Sequence, residues 1–161
     1  QHAIPVDAIQ SINVGMPTDT AKVVDNRDMH NICLQDVLGA ALVRGGMNLR
    51  ELPFPAVLSE PAFMRLRPLI SLRGDADLDR DQPAGRGAIV RITTASGASV
   101  SQRVDHPRGH SQRGGVTWDE LAVKWREGLP ECDVDRMLAA ARGLEDLEDV
   151  NELVSAFTTT A

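Results

Sequence analysis

The residues best able to do chemistry lie together in "DMHNICLQDVLGAALVRGG", residues 28–46, which reads as one helix closed by a Gly45-Gly46 stop. At about 100° per residue, Leu34, Val37, Leu38, Ala41 and Leu42 form a stripe that should lie on a sheet. Cys33, Asp36, Gly39, Ala40 and Val43 share the opposite face. That face is small or apolar where a solvated helix would carry Lys and Glu, so something covers it, and Asp36 is the one acid beneath the cover. An acid so placed is partly desolvated, and unless it is paired it becomes a group that can hold or move a proton. The alternative is that Asp36 caps the helix or pairs with a neighbouring arginine such as Arg44. His30, at the helix entry, either faces the same cleft or is a surface or capping group. Cys33 has no base beside it in the sequence and reads as a buried structural thiol rather than a nucleophile.

Other candidates carry less. His106 and His110 flank "PRG" in "VDHPRGHSQRGG". Two histidines four apart bind zinc from a helix, which Pro107 and Gly109 forbid, so no metal is expected there. That loop could instead touch an anionic substrate or a second subunit. The acids of residues 73–87 alternate for a while but lack the Gly and terminal Glu of a calcium loop, and read as a solvated loop. His2 reads as a terminal residue.

Several elements must position these groups. "AIQSINVGMP" alternates Ile12 and Val14 with Ser11 and Asn13, the period of a half-buried strand. A Pro-rich loop, "ELPFPAVLSEP", leads to a short helix with Ser59 as N-cap and Pro61 in its first turn; Phe63, Leu66 and Ile70 recur at helical spacing until Pro68 closes it. "AIVRITTASGASVSQRV" is an antiparallel hairpin turning at Ser96-Gly97. "TWDELAVKW" opens with a Thr117/Glu120 capping box and continues as an amphipathic helix with Trp118 and Trp125 in the core. Two further helical stripes follow, Val134 to Ala141 and Leu147 to Phe157, broken near Gly143. The expected fold is α+β, two layers, with a small antiparallel sheet packed with helices.

At 161 residues the chain suffices for one domain with a real core, taken as 1–161. No apolar run approaches the roughly 20 residues that span a bilayer, so no membrane partner is expected. A net charge of −6 offers no basic face for phosphates, and nucleic acid is not an expected partner. Cys33 and Cys132 are too few and too far apart for a disulfide framework or a C-x-x-C site, which points to a reducing cytoplasm. No charged n-region and apolar h-region open the chain, so no secretory signal is expected. A start at Gln1-His2 without Met and the loose "TTTA" end suggest a piece of something longer, or a processed product.

The ordered set, strand, "LQ…AL…GG" helix, acidic excursion, hairpin, "GH" loop, "WDELAVKW" helix and "LEDLEDV" tail, resembles the C-terminal domain of the MmgE/PrpD family over residues 4–157. The family's activities include 2-methylcitrate dehydration, cis-aconitate decarboxylation and iminodisuccinate epimerisation. The resemblance implies a lyase, dehydratase-like, acting on a small di- or tricarboxylate by proton abstraction beside a carboxylate, where a carbanion-like state must be stabilised. It implies a homodimer without metal or organic cofactor. It also implies an N-terminal all-helical domain, absent here, that shares the cleft, so that this chain alone is inactive. Relatives often carry a tyrosine where this sequence has Asp36. The resemblance therefore makes Asp36 the catalytic candidate, with Cys33, Gln35 and His30 as cleft-lining or substrate-contacting neighbours. The competing expectation is a non-catalytic module that dimerises or binds a partner through the small-residue helix face, or the same fold with catalysis lost.

Overall fold

The computed structural model describes residues 4–47 and 55–158. The alternating stretch near the start forms β1 (Ile9–Met16), whose Ile12 and Val14 are almost wholly buried while Asn13 between them is not. β1 is central. It pairs in parallel with β2 (Ile70–Gly74) and antiparallel with β3 (Ala88–Thr94), which pairs with β4 (Ser99–Val104) to give the order β2-β1-β3-β4. The α+β class holds, but the sheet is mixed rather than antiparallel throughout. A parallel neighbour needs a long crossover, and here helices fill it.

Those helices are α1 (Thr18–Val24), α2 (Leu34–Arg44), α3 (Pro55–Leu58) and α4 (Pro61–Leu66), followed by a 3-10 turn over Arg67–Leu69. Four expectations need correction here. The helix expected over residues 28–46 begins only at Leu34, because the preceding residues turn on Met29, whose carbonyl accepts the N–H groups of Ile32 and Cys33. α1 was not expected. The N-cap of α4 is Glu60, with Pro61 next, and Ser59 instead donates its hydroxyl to the Ala56 carbonyl. Ile70 belongs to β2 rather than to a helix: the chain leaves helical geometry after Leu69, and Ile70 pairs with Ile12.

The register lines up Ile12 with Ile70 and Ile92, and Val14 with Leu72 and Val90, all on one face. Leu66 packs there with Leu34, Leu38 and Leu42 of α2, forming the main core. The other face presents Ser71, Asn13, Arg91 and Ser101 in one row.

The expected loop over residues 73–87 is partly built. Its first two residues end β2, and α5 (Ala76–Arg80) follows, capped by Asp75, whose Oδ1 accepts the Asp77 and Leu78 N–H groups. Leu78 is buried, and that anchors the turn of helix.

Past the hairpin, α6 (Trp118–Gly128) carries the capping box read from the sequence, and α7 (Val134–Arg142) and α8 (Val150–Ala156) follow. Ala122, Val134, Met137 and Leu138 make a second cluster, with Trp125 against it. Trp118 does not join this core. It is 42% exposed, with the Arg142 guanidinium 5.3 Å over its ring. Trp125 meets the Phe157 ring edge to face at 5.3 Å. Val150 and Val154, expected in the last buried stripe, face outward.

Candidate active site around Asp36

Asp36 lies in the first turn of α2 and is 2% exposed. Both of its oxygens are engaged. Arg67 Nε donates to Oδ1 at 2.5 Å, and His30 Nδ1 lies 2.7 Å from Oδ2. A carboxylate facing a guanidinium has only acceptors to offer, so the hydrogen of the His30 contact sits on Nδ1. In that tautomer Nε2 carries the lone pair, and the His30 side chain is 53% exposed. Nε2 makes no hydrogen bond among the described residues. A buried acid that fixes a histidine tautomer and leaves the outer nitrogen free is a general-base arrangement.

Arg67 completes the group. Its Nη2 reaches Cys33 Sγ at 3.7 Å, while Nη1 makes no hydrogen bond among the described residues. The hydrogen bond to Asp36 raises its pKa above the usual arginine value, against a smaller opposing effect of burial. The guanidinium is therefore a fixed cation, 36% exposed, able to offer its outer N–H groups to a carboxylate.

Gln35 has a different task. Its Nε2 donates to Asp25 Oδ1 at 2.6 Å, and its Oε1 accepts the Asn26 backbone N–H at 3.0 Å. It thereby ties the end of α1 to the start of α2, fixing the segment that carries His30. Gln35 and Cys33 are both buried, so of the expected cleft-lining residues only His30 reaches the surface.

Two expectations about Asp36's surroundings are corrected. Arg44 does not pair with it. Eight residues along a helix is about 12 Å of rise, too far for an aspartate to reach, and Arg44 pairs with Glu60 at 2.5 Å instead. Nor is the small-residue face open for a partner or a second copy. Ala40 packs with Val57 of α3 and Phe63 of α4, and a Cβ on Gly39 would stand 3.0 Å from Phe63 Cε2. The small residues admit α4, an element of the same domain.

Arg67 was missed from the sequence. It sits 31 residues from Asp36, and only charge complementarity could have suggested it. His106 and His110 stack on each other with ring centroids 4.8 Å apart, in the loop between β4 and α6, and His110 Nδ1 accepts the Gln112 N–H. No group of three or more His, Cys, Asp or Glu side chains gathers as a metal donor set among the described residues. His2 lies outside the described residues.

Residues 1–143 match the family model of the MmgE/PrpD C-terminal domain. The match ends at Gly143, so α8 lies beyond it. No curated protein matches the chain.

Proposed function

The chain belongs to the MmgE/PrpD family, as its C-terminal domain, and on that premise we propose that it is half of a lyase that removes a proton beside a carboxylate of a small di- or tricarboxylate and expels water. The observation that carries this reading is the buried Asp36 gripping two partly exposed groups, His30 and Arg67. In the proposed step His30 Nε2 takes the proton, Arg67 holds the neighbouring carboxylate, and the electron pair left on carbon expels the β-hydroxyl, which leaves as water with the proton removed. Asp36 does not touch the substrate. It is a positioning residue that sets the His30 tautomer and balances the imidazolium as it forms, and it takes the place relatives often give to a tyrosine. Cys33 and Gln35 support the same geometry from beneath.

On this reading the family's N-terminal helical domain closes the site, the working unit is a homodimer without cofactor, and the compartment is the cytoplasm, where the free thiols of Cys33 and Cys132 are kept reduced. No helix among the described residues is long and apolar enough to cross a membrane.

The test is made in the protein that joins this domain to the helical one. A panel of di- and tricarboxylates is incubated in deuterated water and followed by proton magnetic resonance. A dehydratase gives a new alkene, an epimerase gives exchange of the α-proton with inversion, and a decarboxylase gives carbon dioxide. His30→Gln should abolish whichever reaction is found, Asp36→Asn should lower kcat, and Arg67→Gln should raise KM. Full activity in His30→Gln would end the assignment.

A further inference from the structure

The strand alternation that sends Ile12, Val14, Ile70 and Leu72 into the core sends Asn13, Gly15, Arg73, Ile89 and Arg91 out of the opposite face of the sheet. With Asp75 these residues line a hollow of about 350 Å³. Gly15 is its floor. A Cβ there would stand 3.3 Å from Asp75 Oδ2 and 3.7 Å from Ile89 Cβ, so the missing side chain is what keeps the hollow open.

The arginines of this hollow differ from six others among the described residues. Arg44, Arg67, Arg80, Arg103, Arg108 and Arg126 all pair with carboxylates. Arg73 and Arg91 make no hydrogen bond or ion pair among the described residues. Two guanidiniums without an ion-pair partner share this concavity with a single carboxylate, Asp75, so that in a chain of net charge −6 the hollow keeps an excess of positive charge.

We propose that this hollow binds a small dicarboxylate, one carboxylate to each arginine. The register supports the spacing. Arg73 stands beside Gly15 on β2, and Arg91 beside Asn13 on β3, so the two flank β1 on strands roughly 10 Å apart. A guanidinium takes a carboxylate in a bidentate fork, and two forks carried on separate strands and offset by two residues along β1 suit two acidic groups on a short carbon chain better than one compact anion. Asp75 limits the choice of ligand. Its Oδ1 is committed to capping α5, and Oδ2 lies beside Gly15, so a ligand must engage both arginines to outweigh the repulsion of this carboxylate. The hollow lies across the sheet from α2, and binding there needs no turnover, so the proposal stands apart from the reading of the Asp36 site.

The experiment is a titration of this chain, isotope-labelled, with potassium succinate, potassium phosphate and potassium chloride at matched ionic strength and neutral pH. The signals followed are the Gly15 amide and the Arg73 and Arg91 Nε–H groups. Succinate should shift all three saturably, and binding should weaken about tenfold in Arg73→Gln and in Arg91→Gln. Both side chains are exposed, so neither change threatens folding. Arg86→Gln, which removes another exposed arginine, should leave succinate binding unchanged. Shifts that fail to saturate, or that survive either hollow substitution, would overturn the proposal. Phosphate binding as tight as succinate binding would also overturn it, reducing the hollow to a general anion patch.

Discussion

Replacing Asp36 with Asn keeps the shape of the side chain and removes the charge that organises the candidate site. Two charge-assisted hydrogen bonds end on this carboxylate, from Arg67 at 2.5 Å and from His30 at 2.7 Å. Such bonds contribute roughly 1.5–3 kcal/mol each. The partners are not deeply buried: the Arg67 side chain is 36% exposed and that of His30 53%, so both regain water when the charge is lost. The expected loss of stability is therefore about 2–3 kcal/mol, below what stranding a fully buried partner costs. In a domain of this size each kcal/mol lowers the melting temperature by about 2–4 °C, so Asp36→Asn should melt roughly 5–10 °C lower. The assays are urea and thermal denaturation by circular dichroism, with a double-mutant cycle against Arg67→Gln that should return a coupling of about 1–2 kcal/mol. Nitrogen chemical shifts of the His30 ring give an independent reading. The wild-type ring should carry its hydrogen on Nδ1. In the variant, an Asn amide turned toward His30 donates to Nδ1 and moves the hydrogen to Nε2, disabling the outer nitrogen as a base. A stability loss below about 0.5 kcal/mol, together with an unchanged tautomer, would refute the view that Asp36 organises this group.

Gly39→Val should destabilise the chain by about 2 kcal/mol, since even a Cβ would stand 3.0 Å from the Phe63 ring and valine adds two methyl groups in a packed site; urea denaturation measures it. Met137→Ala should cost about 2–5 kcal/mol because Met137 is wholly buried, whereas Trp118→Ala should cost far less despite removing a larger side chain, since Trp118 is 42% exposed; the comparison of midpoints tests the corrected core of α6 and α7. Glu120 is held below the usual carboxylate range, first by the Thr117 backbone N–H and then by Arg108, and Asp79 by the Thr18 hydroxyl and then its backbone N–H. In the unfolded chain both take protons at higher pH than in the folded one. Their contribution is thus complete above the ordinary carboxylate values and is lost as pH falls from about 5 toward 3. Urea midpoints across that range should fall, and the fall should be shallower in Glu120→Gln and in Asp79→Asn.

The elements legible in the sequence are those whose causes are local. The alternation of Ile12 and Val14, the hairpin turning at Ser96-Gly97, the capping box of Thr117 and Glu120 and the glycine stop at Gly45 each lie within a few residues, and each is present in the structure. The small residues of α2 announced a close neighbour, and Asp36 announced a need for a partner. The identity of the neighbour and partner was decided only by tertiary structure. β2 is a five-residue edge strand whose identity comes from pairing with residues 58 positions earlier, and no local periodicity separates Ile70 from the helical spacing before it. Among 17 lysines and arginines, nothing in the spacing selects Arg67 for Asp36. That pairing follows from the turn at Arg67–Leu69, which brings the end of α4 back over the start of α2. Sequence carries periodicity, caps and turns because those are interactions between near neighbours. The choice of an ion-pair partner or a covering helix depends on where distant segments meet, and only the packed sheet and helices fix that.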